Sequence, residues 1–334
     1  MLEIPNLDHM KQRVLVTGGA GYIGSVLCRQ LFDAGFQVRV IDRLSFGGRS
    51  LVDLLNRPGF DFIKGDIRDA ELMRYCMEGM DAVVHLAAIV GDPACKQAPE
   101  EASEIMDAGS IQLFRLAEQM GLKHFIFAST CSNYGLMDSP ETLLDEEAPL
   151  QPQSHYARLK VGFEQFLLEQ KDSPLSRSIL RFSTVYGYSP RLRFDLTVNH
   201  FTRDLSLGKE LEIFGADTWR PYCHVEDLAA SVCFLLQKDP ESMNGKVYNV
   251  GDSEENYSKG MIAEEIRKQI PEARIKIVKQ ADSDLRNYRI DFSRIHRELD
   301  YSISKRVPDG IREIHKLIQS GLIANPYDPL FQNC

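Results

Sequence analysis

The stretch Val14-Leu15-Val16-Thr17-Gly18-Gly19-Ala20-Gly21-Tyr22-Ile23-Gly24, with Asp42 eighteen residues beyond Gly24, decides the fold. Val14 to Val16 form a short apolar run of the kind that fills a buried parallel strand, and residues 22–34 carry helical periodicity. The glycines therefore fall where a strand turns into a helix. There they permit a tight turn and let backbone N–H groups and the helix N-terminus approach a pyrophosphate with no Cβ in the way. A carboxylate at Asp42 suits the hydroxyls of an adenosine ribose and repels a 2′-phosphate, which favours NAD over NADP. Arg43, directly after it, works against that preference. Strand, glycine turn, helix and acid in register predict a dinucleotide site.

Outward from that turn, the same alternation continues. Residues 60–64, 82–86 and 124–128 read as short buried strands, with helical stretches near 69–77 and 103–120 between them. Residues 152–171 read as a long helix and 178–182 as a sixth strand. The expected architecture is α/β, a Rossmann-type doubly wound parallel sheet. Beyond Gly187 the rhythm changes, with a helix near 196–207, a strand near 210–214 and a mixed tail. Residues 1–187 are thus expected to form the dinucleotide-binding domain. Residues 188–334 are expected to form a smaller mixed α/β substrate domain, with some segments returning to the first.

With 334 residues, 43% hydrophobic and 26% charged, the chain has the composition of a globular protein able to bury a large core. The net charge of −9 argues against nucleic acid or an anionic membrane as a partner. No apolar run approaches a membrane span, and residues 1–10 lack the pattern of a secretory signal, so a cytoplasmic protein is expected, with those ten residues a disordered leader. Seven scattered cysteines form no C-x-x-C pair and no zinc-like spacing; buried, reduced thiols are expected and no metal.

Tyr156-Ala157-Arg158-Leu159-Lys160 places a tyrosine and a lysine four apart, on one face of a helix. A phenol titrates near pH 10, and a neighbouring ammonium together with a nicotinamide cation favours its phenolate. Such a phenolate can take the proton of a sugar hydroxyl while hydride leaves the same carbon. The run Ser129-Thr130-Cys131-Ser132 follows a strand at its carboxyl end, where open α/β sheets place ligands, and offers hydroxyls to the reacting oxygen.

Together these motifs resemble the extended short-chain dehydrogenase/reductase family over roughly residues 12–320, especially its nucleoside-diphosphate-sugar epimerases and dehydratases. The resemblance implies that Gly18, Gly21, Tyr22, Ile23 and Gly24 hold the cofactor, NAD, with Asp42 and Arg43 at the ribose. It adds Asp66 and Ile67 at the adenine, and Leu86, Ala87 and Ala88 at a strand end. It implies Thr130, Tyr156 and Lys160 as the catalytic set, with Ser129, Tyr156 and Lys160 also touching cofactor. Leu180-Arg181-Phe182-Ser183-Thr184-Val185-Tyr186-Gly187 is similar to the family's "LRxxNVYG" stretch, which brings Phe182, Thr184 and Val185 beside the nicotinamide. Arg220, in a run similar to "RDYIHVxD", is the foremost diphosphate ligand implied, with Arg286, Arg193 and Asn199 as further substrate contacts beside Thr130, Cys131, Ser132 and Thr184. His224, in the same run, is expected to support the fold.

The departures from the family select among reactions. Dehydratases of this type carry an Asp-Glu pair after the catalytic Thr, where this chain has Cys131 and Ser132. Thr184 replaces an Asn, and Met106 replaces the Asn of an Asn-x-x-Gly-Ser pattern. The expected activity is a nucleotide-sugar epimerase working through transient oxidation at C4 to a 4-keto sugar. A 4-ketoreductase or 4-dehydrogenase with net cofactor turnover is the alternative, and a non-catalytic NAD-binding sensor or scaffold the second. The helices near 103–120 and 152–171 lie where relatives pair subunits through a four-helix bundle, so a homodimer is expected.

Overall fold

A computed structural model describes residues 12–137, 139, 141–279 and 286–333. The expected leader at residues 1–10 and Cys334 lie outside the described residues. In chain order the strands are β1 (Arg13–Thr17), β2 (Gln37–Asp42), β3 (Phe60–Lys64), β4 (Ala82–His85), β5 (His124–Thr130), β6 (Ser176–Phe182), β7 (Thr184–Tyr186), β8 (Glu210–Phe214), β9 (Trp219–His224), β10 (Lys246–Val250), β11 (Asn256–Ser258) and β12 (Arg274–Val278). The helices are α1 (Tyr22–Asp33), α2 (Ala70–Met77), α3 (Asp92–Gln97), α4 (Pro99–Ser103), α5 (Ser110–Gln119), α6 (His155–Glu169), α7 (Thr197–Ser206), α8 (Val225–Leu236), α9 (Lys259–Gln269), α10 (Ser293–Leu299) and α11 (Val307–Gln319).

Seven parallel strands form the main sheet in the order β10-β6-β5-β4-β1-β2-β3. The order reverses between β1 and β4, and a crevice at such a switch point, outside the carboxyl ends of the strands, is where open α/β sheets bind ligands. Both faces of the sheet are covered. Val14 and Val16 of β1 face a core shared with α1 and α8, while Leu15 faces a second core built on Phe125, Phe127 and Phe163. That two-sided burial explains why β1 reads as an unbroken apolar run.

Segments beyond residue 187 return to this sheet: β10 extends its edge against β6, α8 packs on α1 and α10 packs on β10. The remaining small sheets are β11-β9-β7 and β12-β8. They enclose a separate core of Val198, Phe201, Leu211, Ile213, Tyr222, Ile262 and Ile311.

The helix expected over 103–120 is a composite. A π-helical turn, Glu104–Gly109, joins α4 to α5, and Met106, in the place of the family's Asn, is buried there among apolar side chains. The start of α6 is set by Ser154, whose hydroxyl accepts the Ala157 N–H at 3.2 Å. This N-cap fixes Tyr156 in the first turn and Lys160 one turn later.

Candidate active site

The cofactor cradle is shaped by atoms that leave no room for side chains. Gly18 has φ +76°, and a Cβ there would stand 2.9 Å from the Ala87 backbone nitrogen. A Cβ on Gly24 would collide with the Gly18 carbonyl. No side chain caps the N-terminus of α1, so its first-turn N–H groups are presented to an anion with no acidic residue beside them. Asp42 spans the cradle: Oδ2 accepts the Ala20 N–H at 3.0 Å and Oδ1 the Leu44 N–H at 2.7 Å. Burial raises its pKa, and those two N–H groups pull against the rise. Each oxygen keeps a further lone pair for a ribose hydroxyl.

Neighbouring charges are already committed. Arg43 reaches Glu101 at 2.8 Å, away from Asp42. Asp66 is gripped by Arg68, with Nε at 3.1 Å and Nη2 at 2.8 Å. Burial would raise the Asp66 pKa, but Arg68 outweighs it and the net shift is downward. Ile67 is buried beside it. Leu86, Ala87 and Ala88, half-buried, continue from β4 across the mouth of the glycine turn, and the Ala87 N–H bonds Thr17 Oγ1 at 3.2 Å.

Thr17 is itself fixed by a residue the sequence reading missed. Its hydroxyl lies 2.8 Å from His85 Nδ1, while His85 Nε2 lies 2.9 Å from Ser110 Oγ. Burial drives the His85 pKa down to about 3, so the ring is neutral and bridges two hydroxyls. It ties the glycine turn to α5.

At the carboxyl end of β5, Thr130 Oγ1 accepts the Ser132 N–H at 3.1 Å. Lys160 Nζ donates to the Ala128 carbonyl at 2.7 Å and sits 4.6 Å from the Phe127 ring centroid and 5.9 Å from that of Tyr156. Burial pulls the Lys160 pKa down to about 8, with Glu164 opposing. Tyr156 is shifted upward, by burial first and then by Cys95 and Asp92; Arg193 and Arg286 draw it down. The ammonium expected to promote the phenolate is thus turned toward a carbonyl, and the protein's own groups hold Tyr156 as a phenol. A cation at the nicotinamide position has the sign needed to reverse this.

Several of the expected contact residues have partners within the protein. The Ser129 hydroxyl is buried and donates to Glu164. Cys131 is buried with its thiol directed at the Arg181 carbonyl, 3.3 Å away, and burial pushes its pKa far up. Asn199 is wholly buried. Its amide donates to the carbonyls of Gly187 (3.1 Å) and Arg193 (2.9 Å), and its oxygen accepts the Gly187 N–H at 2.9 Å. The Tyr22 hydroxyl also bonds the Gly187 carbonyl, at 2.5 Å, so this side chain fastens α1 to the turn after β7. Arg193 is buried and forked onto Asp195 at 3.0 and 2.5 Å. Phe182 is buried in the core, whereas Thr184 and Val185 are half-buried at the strand end. His224 caps α8 through Nδ1 and bonds Glu313 through Nε2 at 2.9 Å, a fold role.

On the substrate side, Ser132 Oγ accepts from Arg286 Nη1 at 3.2 Å and from the Tyr288 hydroxyl at 3.4 Å. The Arg220 guanidinium stacks over Tyr288, 5.1 Å from the ring centroid, with Nη1 bonded to the Trp219 carbonyl at 2.6 Å. Arg286 therefore stands at the end of β5, on the hydroxyl of Ser132 two residues after Thr130, and Arg220 lies against the Tyr288 ring.

A glycine cradle at the switch point, facing a Thr, Tyr and Lys set at the next strand end, defines an extended short-chain dehydrogenase/reductase. The chain belongs to the NAD dependent epimerase/dehydratase family, whose model matches residues 14–251. It is 31% identical over 265 residues to UDP-glucose 4-epimerase of Bacillus subtilis, covering 71% of this chain and 76% of that protein. It is 30% identical over 317 residues to dTDP-glucose 4,6-dehydratase of an Actinoplanes species, covering 90% and 96%. The fold matches the crystal structure of UDP-glucose-4-epimerase from Stenotrophomonas maltophila with bound NAD and formylated UDP-arabinopyranose at a TM-score of 0.84. The identity there is 26%, with 94% of this chain and 100% of that one covered. This chain is accordingly an NAD-dependent enzyme of the nucleotide-sugar epimerase/dehydratase family. Among the described residues, no helix is long and apolar enough to cross a membrane.

Proposed function

We propose that the enzyme inverts C4 of a nucleoside-diphosphate sugar through a 4-keto intermediate. The observation that carries this reading is the pairing of an intact Thr130, Tyr156 and Lys160 set with a neighbouring Cys131 that is buried and a Ser132 that is hydroxyl only. Elimination of water across C5 and C6 needs an acid and a base at those two positions, and neither group serves. NAD, held by the glycine turn at Gly18 to Gly24 and by Asp42, would supply reversible hydride transfer at C4. Tyr156 takes the C4 hydroxyl proton and gives it back to the 4-keto oxygen. Thr130 donates a hydrogen bond to that oxygen, and Lys160 supplies positive charge beside the phenol and the ribose. Arg220, stacked on Tyr288, is assigned to the diphosphate. The enzyme acts as a homodimer paired through α5 and α6.

The test is incubation of the NAD-loaded enzyme with UDP- and dTDP-hexoses, followed by NMR of the products and by absorbance at the reduced-nicotinamide band. A C4 epimer without accumulation of reduced cofactor is expected, and Tyr156→Phe is expected to abolish it. A stable 4-keto-6-deoxy product, or net reduction of cofactor, overturns the epimerase reading in favour of dehydration or dehydrogenation.

A further inference from the structure

One carboxylate in the site has no part in the chemistry above. Asp92 opens α3 on the segment that follows β4, and α3 packs against α6, the helix carrying Tyr156 and Lys160. Its Oδ2 stands 3.4 Å from Arg286 Nη1, the nitrogen that also reaches Ser132 Oγ at 3.2 Å. Its Oδ1 is buried and has no hydrogen-bond partner among the described residues. The Asp92 side chain keeps 18% exposure, and its charge acts on Tyr156. Carboxylate, guanidinium and hydroxyl thus come from three separate chain segments to meet beside the reacting tyrosine.

We propose that Asp92 is a specificity residue of the sugar subsite: with Arg286 and Ser132 it selects a neutral pyranose that presents a hydroxyl, and it rejects a sugar that carries a carboxylate. The proposal rests on the nucleotide-sugar reading of the site. An ionised carboxylate accepts hydrogen bonds and donates none, so its complement is a hydroxyl donor, and that bond is charge-assisted. The terminal carboxylate torsion is broad and two-fold, so either oxygen can turn toward a ligand, and doing so relieves the unpartnered Oδ1. A uronic acid brings a second anion next to Asp92 and must share Arg286 with it, a like-charge juxtaposition in a partly desolvated site. Without Asp92, the same guanidinium beside a hydroxyl is a receptor for carboxylate. The acid therefore sets the sign of the preference.

The test is isothermal titration of the NAD-loaded protein with UDP-glucose, UDP-glucuronic acid, UDP, dTDP, CDP, GDP and ADP, for the wild type and for Asp92→Asn. The wild type is expected to bind UDP-glucose about tenfold or more tightly than UDP-glucuronic acid. In Asp92→Asn that ratio is expected to shrink by a similar factor or invert, with UDP affinity unchanged. Asp92→Ser, which also lacks the charge, should follow Asp92→Asn, and unchanged UDP binding certifies that either variant is folded. Where another of these nucleotides binds and UDP does not, its glucose and glucuronic acid conjugates form the test pair. Equal affinities in the wild type, or a variant that weakens both sugars by one factor as a purely structural residue would, overturn the assignment of Asp92 alone. Failure of UDP, dTDP, CDP, GDP and ADP alike to bind overturns the nucleotide-sugar reading, and the Asp92 proposal with it.

Discussion

Arg181 and Glu164 form an ion pair at 2.8 Å, with side-chain exposures of 5% and 1%, directly behind the carboxyl end of β5. Glu164 also receives the Ser129 hydroxyl and the Asn133 amide, the latter at 2.7 Å, while Arg181 Nη1 reaches the Tyr134 hydroxyl at 2.8 Å. Tyr134 in turn donates to Asn249 on β10, at 2.7 Å. The pair therefore joins α6, the end of β5, β6 and the returning strand β10. Because both charges are desolvated, removing one leaves the other uncompensated, which costs about 3–5 kcal/mol. Glu164→Gln and Arg181→Met are each expected to lower urea stability by that amount. The double replacement is expected to cost less than the sum of the two, as a double-mutant cycle would show.

Lys160 gives a stability signal of the opposite sign. Its pKa is drawn by burial from 10.5 to about 8 in the folded protein. Below about pH 8 the lysine is charged in both states, and the folded state bears the cost of burying it. Between there and 10.5 the folded protein sheds the proton while the unfolded chain keeps it, so this group's contribution to stability improves as pH rises. The full separation is worth about 3 kcal/mol. Lys160→Met is therefore expected to be at least as stable as the wild type at pH 7, to lose that advantage toward pH 10, and to turn over about a hundredfold more slowly. Denaturation and activity measured across that pH range check all three. The wild-type rate itself should fall above about pH 8 as the ammonium is lost.

The elements with strong local signals were legible before the structure. Residues 60–64 and 210–214 are strands as read, because apolar side chains alternate or run continuously between turn residues. The glycine turn carries backbone requirements that only glycine meets, so it too shows in the sequence, whereas the cap at Ser154 starts α6 at His155, later than the helix expected over 152–171. What was not legible depended on tertiary direction. Asn199 and Cys131 sit in motif positions, yet nothing in one-dimensional spacing tells that one holds the Gly187 turn and the other points into the core. His85 and Glu164 were missed because a lone polar residue in an apolar strand or helix shows its role only once its partners, distant in sequence, are known. The π-helical turn at Glu104–Gly109 leaves the helical periodicity almost intact, and so was read as plain helix.

Cofactor preference is expected to hinge on two acids. Asp42 organises the cradle through the Ala20 and Leu44 N–H groups, and Glu101 holds Arg43 at 2.8 Å. Asp42→Ala removes the ribose acceptor and both backbone anchors, and should weaken NAD by about tenfold or more. NADP should gain little from it, because Arg43 remains paired. Adding Glu101→Ala removes the shorter of Arg43's ion pairs and leaves the one to Asp66 at 3.6 Å, which frees the guanidinium in part for a 2′-phosphate, so the double variant is expected to bind NADP more tightly than either single one. Titration of both cofactors against the three variants checks the order. Equal NADP affinity in the single and double variants would remove Arg43 from the account.

Gly162 lies in the middle of α6, exposed, and a Cβ built there meets nothing within 4 Å. Glycine inside a helix is less favourable than alanine by about 1 kcal/mol, so an isolated subunit gains nothing from it. A facing helix of a second subunit would, because a residue without a side chain lets it approach closely. For a homodimer paired through α5 and α6, Gly162→Ala is expected to loosen the contact. Gly162→Glu, which puts a charged side chain into the contact, is expected to break it. Light scattering should give about twice 37.9 kDa for the wild type and close to 37.9 kDa for Gly162→Glu, with NAD binding retained. A wild-type mass near 37.9 kDa at working concentration rules the dimer out, and a dimeric Gly162→Glu moves the interface off this face of α6.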